Sequence, residues 1–441
     1  MFFSARKMVP LVMLLLLVAT GQAYGEASDA LKRTVENCLQ YSPQLKSVRH
    51  NREAVAQDLH SAEGEFYPSL DLRAGIGAQT YNDATTRSTG TEYDSHGRTQ
   101  ATATITQRLY DGQKTLSRVE VEEARLDAAD RKLLDNAAAL ALQAVTAHMD
   151  VYRQRELVAL AEKNVNKHLE ITKALEANQI QGAGSLADVT QAKGRYARSQ
   201  TTRNAERNRL WVAMATYQRL TGQVPMAYGA ETPPTDVSAD VDTAIATAWE
   251  RNPKLLLKNA EIAEAEKTVT LREAGFFPAV DLELESGFKD HVDSATSYAR
   301  SHSVMVVGTW NLYNGGATTA DRKAAKARVN RAKMERGDLR DSLAENVREV
   351  WSNYRTEGDN IGLYAQAIDY NTQTRDMYEQ QFMVGQRSLL DMLDAENELF
   401  VTQGRYITAM TSEVILGYRL LALEGRLLSI LGVNAPPEDH Q

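Results

Sequence analysis

Phe66-Tyr67-Pro68-Ser69-Leu70-Asp71-Leu72 and, 210 positions later, Phe276-Phe277-Pro278-Ala279-Val280-Asp281-Leu282 decide the fold of this chain. Each run opens on an aromatic pair and a proline. Pro68 and Pro278 end a helical pattern, because proline lacks the amide hydrogen that a helix interior needs. Each then passes straight into alternation of apolar and acidic residues. The sequence therefore makes the same helix-to-strand junction twice.

Downstream of Pro68, Leu70, Leu72, Ala74, Ile76 and Ala78 fall on one face, with Asp71, Arg73 and Gln79 on the other. That is the period of a strand. A polar loop is expected from Asn82 to Gly97. A second strand then sets Ala101, Ala103, Ile105, Gln107 and Leu109 against Thr102, Thr104, Thr106 and Arg108. The later copy gives Val280, Leu282 and Leu284 against Asp281, Glu283 and Glu285. Its second strand sets Val304, Val306, Trp310 and Leu312 against Thr309 and Asn311.

The repetition extends along the chain. Tyr41-Ser42-Pro43-Gln44-Leu45 matches Arg251-Asn252-Pro253-Lys254-Leu255 at the same offset of 210. Leu109-Tyr110-Asp111-Gly112 matches Leu312-Tyr313-Asn314-Gly315 at 203, and Gly182, Ser185-Leu186 and Asp188 match Gly385, Ser388-Leu389 and Asp391, also at 203. Leu220-Thr221-Gly222 matches Ile430-Leu431-Gly432 at 210. A shared register over so many points marks a duplicated structural unit.

Proline placement divides the copies. None of the 10 prolines falls between Pro68 and Pro225 or between Pro278 and Pro436. Pro225, Gly229, Pro233 and Pro234 punctuate the stretch between the repeats. The expected division is a first repeat over residues 26–222 (helix, two strands, long helix, return helix), a linker over 223–240, a second repeat of the same order over 241–432, and a tail over 433–441.

The helices are long. The opening helix is expected from Asp29 to Phe66. Gly112 to Gly182 and Gly315 to Gly385 each hold 71 residues, about 105 Å of helix. The return helices, Ser185 to Thr221 with 37 residues and Ser388 to Leu431 with 44, are much shorter. The simplest geometry sends each long helix away from the strands, reverses it at a tight turn and brings it partway back.

Arg6 and Lys7, the apolar run Leu11 to Val18, and Ala23-Tyr24-Gly25 have the form of a secretory signal peptide over residues 1–25. The formal net charge of −8 becomes −10 when those two cations are removed (−8 − 2). An acidic chain has no electrostatic reason to bind nucleic acid. Cys38 is the single cysteine, so no internal disulfide forms, and it lies past the cleavage position. There is no phosphate-binding loop, no H-E-x-x-H and no metal-ligand spacing among the 8 histidines. Gly75-Ile76-Gly77 lies inside a strand, out of any dinucleotide-binding context. The expectation is no enzyme, no cofactor and no metal.

In an exported chain, strands of about ten residues with one apolar and one polar face fit a barrel with lipid outside and water inside. An amphipathic sheet on a soluble core is the other reading. Known membrane barrels need at least about eight strands, so four must be pooled between copies. Two copies give a bore that side chains fill, whereas three, with twelve strands, leave a channel. The fold class is therefore mixed α and β: four transmembrane strands per protomer in a trimeric 12-stranded barrel, continued by a long antiparallel α-helical coiled-coil barrel.

On these features the chain resembles the TolC family of outer-membrane export channels. The resemblance rests on the paired junctions, on Leu109-Tyr110-Asp111-Gly112 with its echo, and on Val384-Gly385-Gln386-Arg387-Ser388-Leu389-Leu390-Asp391-Met392-Leu393-Asp394-Ala395. It implies a homotrimer in bacterial outer-membrane lipid, with the helical part in the periplasm. A periplasmic adaptor would join it to an inner-membrane transporter, and the cargo would be exported protein or small molecules.

The resemblance also implies a gate at the turns Gly182-Ala183-Gly184 and Gly385-Gln386-Arg387. Arg387 would be its cation, Asp188 a carboxylate on the other helix pair, and Asp391 and Asp394 acidic rings that favour cations. Phe382 stands where the best-known member has a tyrosine, and Ala187 where a threonine is typical, so any closed state lacks a phenol donor there. Ser185 with Asp188 and Ser388 with Asp391 also fit a capping box, which leaves both aspartates open between capping and pore roles. Arg387 can equally be a solvated turn residue.

Three functions stay open. One is the passive exit duct of type I protein secretion, favoured because many efflux ducts of the family carry an N-terminal lipidated cysteine. Another is the duct of a drug or metal efflux pump. The third is a periplasmic coiled-coil interaction protein without a pore.

Overall fold

A computed structural model describes residues 28–182, 184–292 and 297–433. The expected signal peptide at 1–25 and most of the tail at 433–441 lie outside the described residues. In chain order the elements are α1 (Asp29–Tyr41), α2 (Pro43–Gly64), β1 (Ser69–Thr80), α3 (Ala84–Thr89), β2 (Ser95–Tyr110), α4 (Lys114–Ile180), α5 (Leu186–Thr221), α6 (Val241–Arg251) and α7 (Pro253–Glu273). A 3-10 turn, Ala274–Phe276, leads into β3 (Ala279–Asp290), β4 (Tyr298–Thr309), α8 (Ala317–Met383), α9 (Leu389–Leu423) and α10 (Leu427–Ile430).

Several boundaries differ from the sequence reading, each for a local reason. The opening helix is two helices. Pro43 bars helical backbone at the residue before it, and Ser42 is extended with ψ 115°. The Ser42 hydroxyl then caps α2 by accepting from the Leu45 amide at 3.3 Å. Asn252 before Pro253 repeats the break, with ψ 122° and side-chain caps to the Lys254 and Leu255 amides. The Asn82–Gly97 loop contains α3, and β2 already begins at Ser95. The second return helix, expected to Leu431, stops at Leu423 and gives way to α10 because the chain turns through Gly425 at φ +72°. A Cβ there would lie 2.1 Å from the Arg251 carbonyl oxygen, so only glycine lets the two segments meet.

The four strands form one antiparallel sheet in the order β1-β2-β3-β4. Leu70, Ile105, Leu284 and Val304 form one row across it, and Asp71, Thr104, Glu285 and Ser303 form the adjacent row on the opposite face. Polar partners on that face include Arg108, whose guanidinium donates to Asp281 at 2.8 Å. The apolar face stands open: Leu72 is 77% exposed, Ile76 88% and Val306 66%. The sheet does not close on itself, since β1 pairs only with β2 and β4 only with β3.

The helices continue this four-wide arrangement. Nearer the sheet, α2, α4, α7 and α8 lie side by side, joined by Arg52–Asp130 at 2.8 Å, Arg125–Glu264 at 2.9 Å and Lys333–Glu266 at 2.7 Å. Beyond the middle, the neighbours are α5, α4, α9 and α8. α4 and α8 hold 67 residues each, about 100 Å, and run through both levels. Among the described residues no helix is long and apolar enough to cross a membrane.

The main core lies at mid-height, where α1 packs on α4 together with the ends of α5 and α9, through Leu31, Val35, Val145, Leu220, Tyr418 and Leu421. Each fully buried aliphatic chain of this kind contributes about 1.5–3 kcal/mol. Cys38 sits here with no exposed surface, and burial pushes its thiol up to about 11 despite the nearby Arg219 charge.

The linker is strapped to this core. The Tyr228 ring stacks on buried His148 at 3.7 Å, and its hydroxyl donates to the His148 carbonyl at 2.8 Å. Arg155 donates to the carbonyls of Pro225 and Met226. Glu231 accepts from the Ser28 hydroxyl and lies 3.4 Å from His148 Nε2. Burial alone would raise the Glu231 carboxyl, but His148 and Ser28 outweigh it and hold it below the usual range.

A carboxylate depressed in this way stabilises the fold above its unfolded pKa and loses that contribution as pH falls through its folded value. Glu231→Gln is expected to lower the melting temperature near pH 7 by a few degrees. The gap from wild type should hold down to about pH 4.5 and shrink only as pH falls below it, measured by circular dichroism in detergent. A pH-independent gap would remove the electrostatic account of the strap.

Candidate functional site at the helix tips

At the end away from the sheet, α4 reverses into α5 and α8 into α9. The reversals need left-handed backbone, which Gly182 supplies at φ +80° and Gly385 at φ +75°. Gly184 serves close approach instead: a Cβ there would come within 2.9 Å of the Gln179 amide nitrogen. Ala183, between them, lies outside the described residues.

Both return helices are capped by serine, and Ser388 makes half of the expected box while Ser185 bonds one residue short of it. The Ser185 hydroxyl accepts from the Ala187 amide at 3.1 Å, and the Ser388 hydroxyl accepts from the Asp391 amide at 3.2 Å. The reciprocal bond from an acid to the cap amide is made by neither aspartate among the described residues. Asp188 is half-exposed in the first turn of α5, where the helix dipole favours an anion. Asp391 lies 3.8 Å from Arg387.

Arg387 is held in place. Its guanidinium stacks on the Tyr378 ring at 3.9 Å and donates from Nε to Gln381 Oε1 at 3.1 Å. Within one chain it does not meet Asp188. Asp391 and Asp394 line one groove of about 260 Å³ on the α8/α9 pair, with Asn371, Thr374, Tyr378 and Glu398.

Asp394 has a partner that sequence reasoning missed. Arg195 reaches from α5 and donates to its carboxylate at 2.9 Å. Burial, and then the Arg195 charge, hold the buried His168 ring below its ordinary value, so the ring adds no second positive charge beside the guanidinium near pH 7. Lys167 of α4 pairs with Glu379 of α8 at 2.9 Å, a second tie between the helix pairs. The sequence signal for Arg195 was its position seven residues after Asp188, on the same stripe of the helix.

Phe382 is packed rather than solvated. Its ring lies against the tip core of Ile171, Leu175, Val189, Leu389, Met392 and Leu393, which joins both helix pairs. An aromatic is therefore needed here for packing, whether or not it carries a hydroxyl. Among the described residues no group of His, Cys, Asp or Glu is placed to hold a metal ion.

Comparison with known proteins places this geometry. The family model described as "Outer membrane efflux protein" matches residues 34–223 and 244–425, one segment for each repeat. The chain belongs to this family. Its fold and its place in the bacterial outer membrane, with periplasmic helices, follow from that membership.

Among relatives of the family, the chain is 26% identical over 418 residues to the outer membrane efflux protein BepC of Brucella suis, covering 89% of this chain and 92% of BepC. It is 22% identical to the outer membrane protein TolC of Escherichia coli, over 90% of this chain and 81% of that one. The solved structure of the Campylobacter jejuni CmeC outer membrane channel superposes with a TM-score of 0.80 at 13% identity, over 96% of this chain and 94% of CmeC. The resemblance read from the paired junctions and the Val384–Ala395 run is borne out.

The packing of Phe382 is open to test. Phe382→Ala is expected to cost about 2 kcal/mol locally, less than a full core truncation because the ring is only half buried. Hydrogen exchange should quicken in residues 171–193 and 382–393 while the mid-height core is unchanged. Unaltered exchange at the tip would mean that the ring is not part of the joint.

Proposed function

We propose that three copies of this chain close a ring that serves as the passive exit duct of a tripartite export system, most plainly one of type I protein secretion. The observation that carries the reading is that every level of the fold is open at both sides. The sheet ends at β1 and β4. In the helical body the outermost helices expose large apolar side chains, such as Trp211 on α5 and Met334 and Leu363 on α8. Unpaired strand edges are not tolerated in a lipid interior, so each copy needs a neighbour at both edges. Four strands per copy give a filled bore for two copies and a channel for three. A pore-free periplasmic rod leaves the exposed Leu and Val face of the sheet without an environment.

In this reading the helical part descends through the periplasm to an adaptor and an inner-membrane transporter, which supplies the energy. Protein cargo is favoured because Cys38, the single cysteine, is buried in the core and cannot carry a lipid. The likeness to BepC, an outer membrane efflux protein, favours a second reading, a duct for small molecules. Purified protein is expected to run as a heat-modifiable trimer that conducts ions in planar bilayers; a soluble, non-conducting rod would end the duct proposal. Gene deletion followed by parallel assays of secreted proteins and drug sensitivity separates the two cargoes: a lost exoprotein with unchanged drug tolerance supports secretion, and the reverse supports efflux.

The tip acids form the constriction in this proposal. Asp391 and Asp394 of three copies place six carboxylates around the opening, with Arg387 and Asp188 available to the neighbouring protomer. Arg195 neutralises part of the Asp394 ring, because it is tied to that carboxylate. Asp391→Asn with Asp394→Asn should weaken both cation preference and block by multivalent cations. Arg195→Gln should strengthen that block by a few-fold, since one positive charge per copy is removed from beside the ring. Unchanged selectivity in both variants would discard the ring assignment.

A further inference from the structure

The outward face of the sheet is not apolar to its end. At the loop end of β3 and β4 it carries Tyr298, Arg300 and His302 on β4, with Ser286 and Phe288 opposite on β3. The side chains form one cluster. The Arg300 guanidinium lies 5.5 Å from the Tyr298 ring centre, and Tyr298 meets Phe288 edge-on at 5.5 Å. Ser286 Oγ and His302 Nδ1 are 3.0 Å apart. Arg300, His302 and Ser286 share the face of Leu284, Val304 and Val306, and all three are exposed.

A guanidinium on a lipid-facing surface is costly at mid-membrane and tolerated at the headgroup level. The strand geometry puts Arg300 at that level. Trp310, whose indole donates to the Phe276 carbonyl at 3.2 Å, belongs to an aromatic group with Phe276, Phe277 and Tyr313 at the helix-to-strand junction. Such a group marks one membrane interface. Arg300 lies ten positions before Trp310, about 33 Å along a strand. At a tilt near 45° that is about 23 Å of height, close to the roughly 25 Å apolar band of such barrels. The cluster thus sits one membrane thickness from the junction, at the outer headgroups.

We propose that Arg300, with His302 and the Tyr298 hydroxyl, holds the phosphate of an anionic lipid headgroup in the outer leaflet. A guanidinium is matched to phosphate by charge and by its paired donors, and the phenol O–H and an imidazole N–H add donors beside it. Among the described residues the acid on this face is Asp290, and its carboxylate lies 3.1 Å from the His291 ring, turned to a partner of its own. The site rests on the reading of the apolar face as lipid-facing.

The test uses the full-length protein in detergent, native mass spectrometry, and two probes: bisphosphorylated lipid A and the same lipid with its phosphates removed. Wild type is expected to retain the phosphorylated lipid about tenfold more tightly. Arg300→Gln with His302→Gln should erase that difference, while Arg73→Gln, on the opposite face, should keep it. Equal retention of both lipids by wild type overturns the phosphate site and leaves the membrane reading standing. Retention of neither, by a protein that stays soluble, overturns both. Loss of the lipid to millimolar inorganic phosphate would also overturn the proposal, by making this a free-anion site. Where the double variant does not assemble, the two-lipid comparison on wild type still decides.

Discussion

A strand edge facing lipid leaves its amide and carbonyl groups without hydrogen-bond partners, and this constraint governs the rest of the structure. β1 and β4 each present such an edge. In water an edge of this kind is a liability that charges or bulges can blunt; in a hydrocarbon interior it must be closed. The sheet's sidedness adds to the demand. Leu70, Leu72 and Ile76 are exposed on one face while Asp71, Arg108 and Glu285 line the other. A sheet so built requires two solvents at once, and the helices below it are arranged to continue the same open-sided wall.

The repeat supplies that continuity. Each copy of the unit carries one long helix through both levels and splits the other column into shorter pieces. The joints between pieces gather at mid-height, where α1 and α10 pack into the main core and α6, with Val237 of the linker, packs into a second core against α8. His148, Glu231 and Tyr228 bind the linker to the first repeat, and Trp351 donates to the Ser238 carbonyl from the second. The strap is thereby fixed to both halves.

Much of this was legible in the residues. Alternation gave the strands, proline-free tracts gave the long helices, and the fixed offsets gave the duplication. What escaped was set by tertiary contact or by a single residue. The break at Ser42 was written in the Ser-Pro pair, but helical periodicity on either side hid it. The early stop at Leu423 depends on the Arg251 carbonyl lying beside Gly425, which no local pattern reports. At the tip the turns, the serine caps and the shared groove of Asp391 and Asp394 followed from spacing. The tie from Arg195 to Asp394 did not, because it links positions 199 residues apart. Phe382 was read through its missing hydroxyl, whereas its surroundings are those of a packed ring.

Four strands abreast in the sheet and four helices abreast at each level below it have a consequence for caliber. Adjacent strands lie about 4.8 Å apart, or about 7 Å around the circumference when tilted near 45°. Adjacent helices need about 8–10 Å. The same four-element width therefore subtends more perimeter below the membrane than within it. The passage broadens as it leaves the bilayer, and the sheet, rather than the long helical stretch, fixes the girth of the bulkiest rigid body that an open tip can let through.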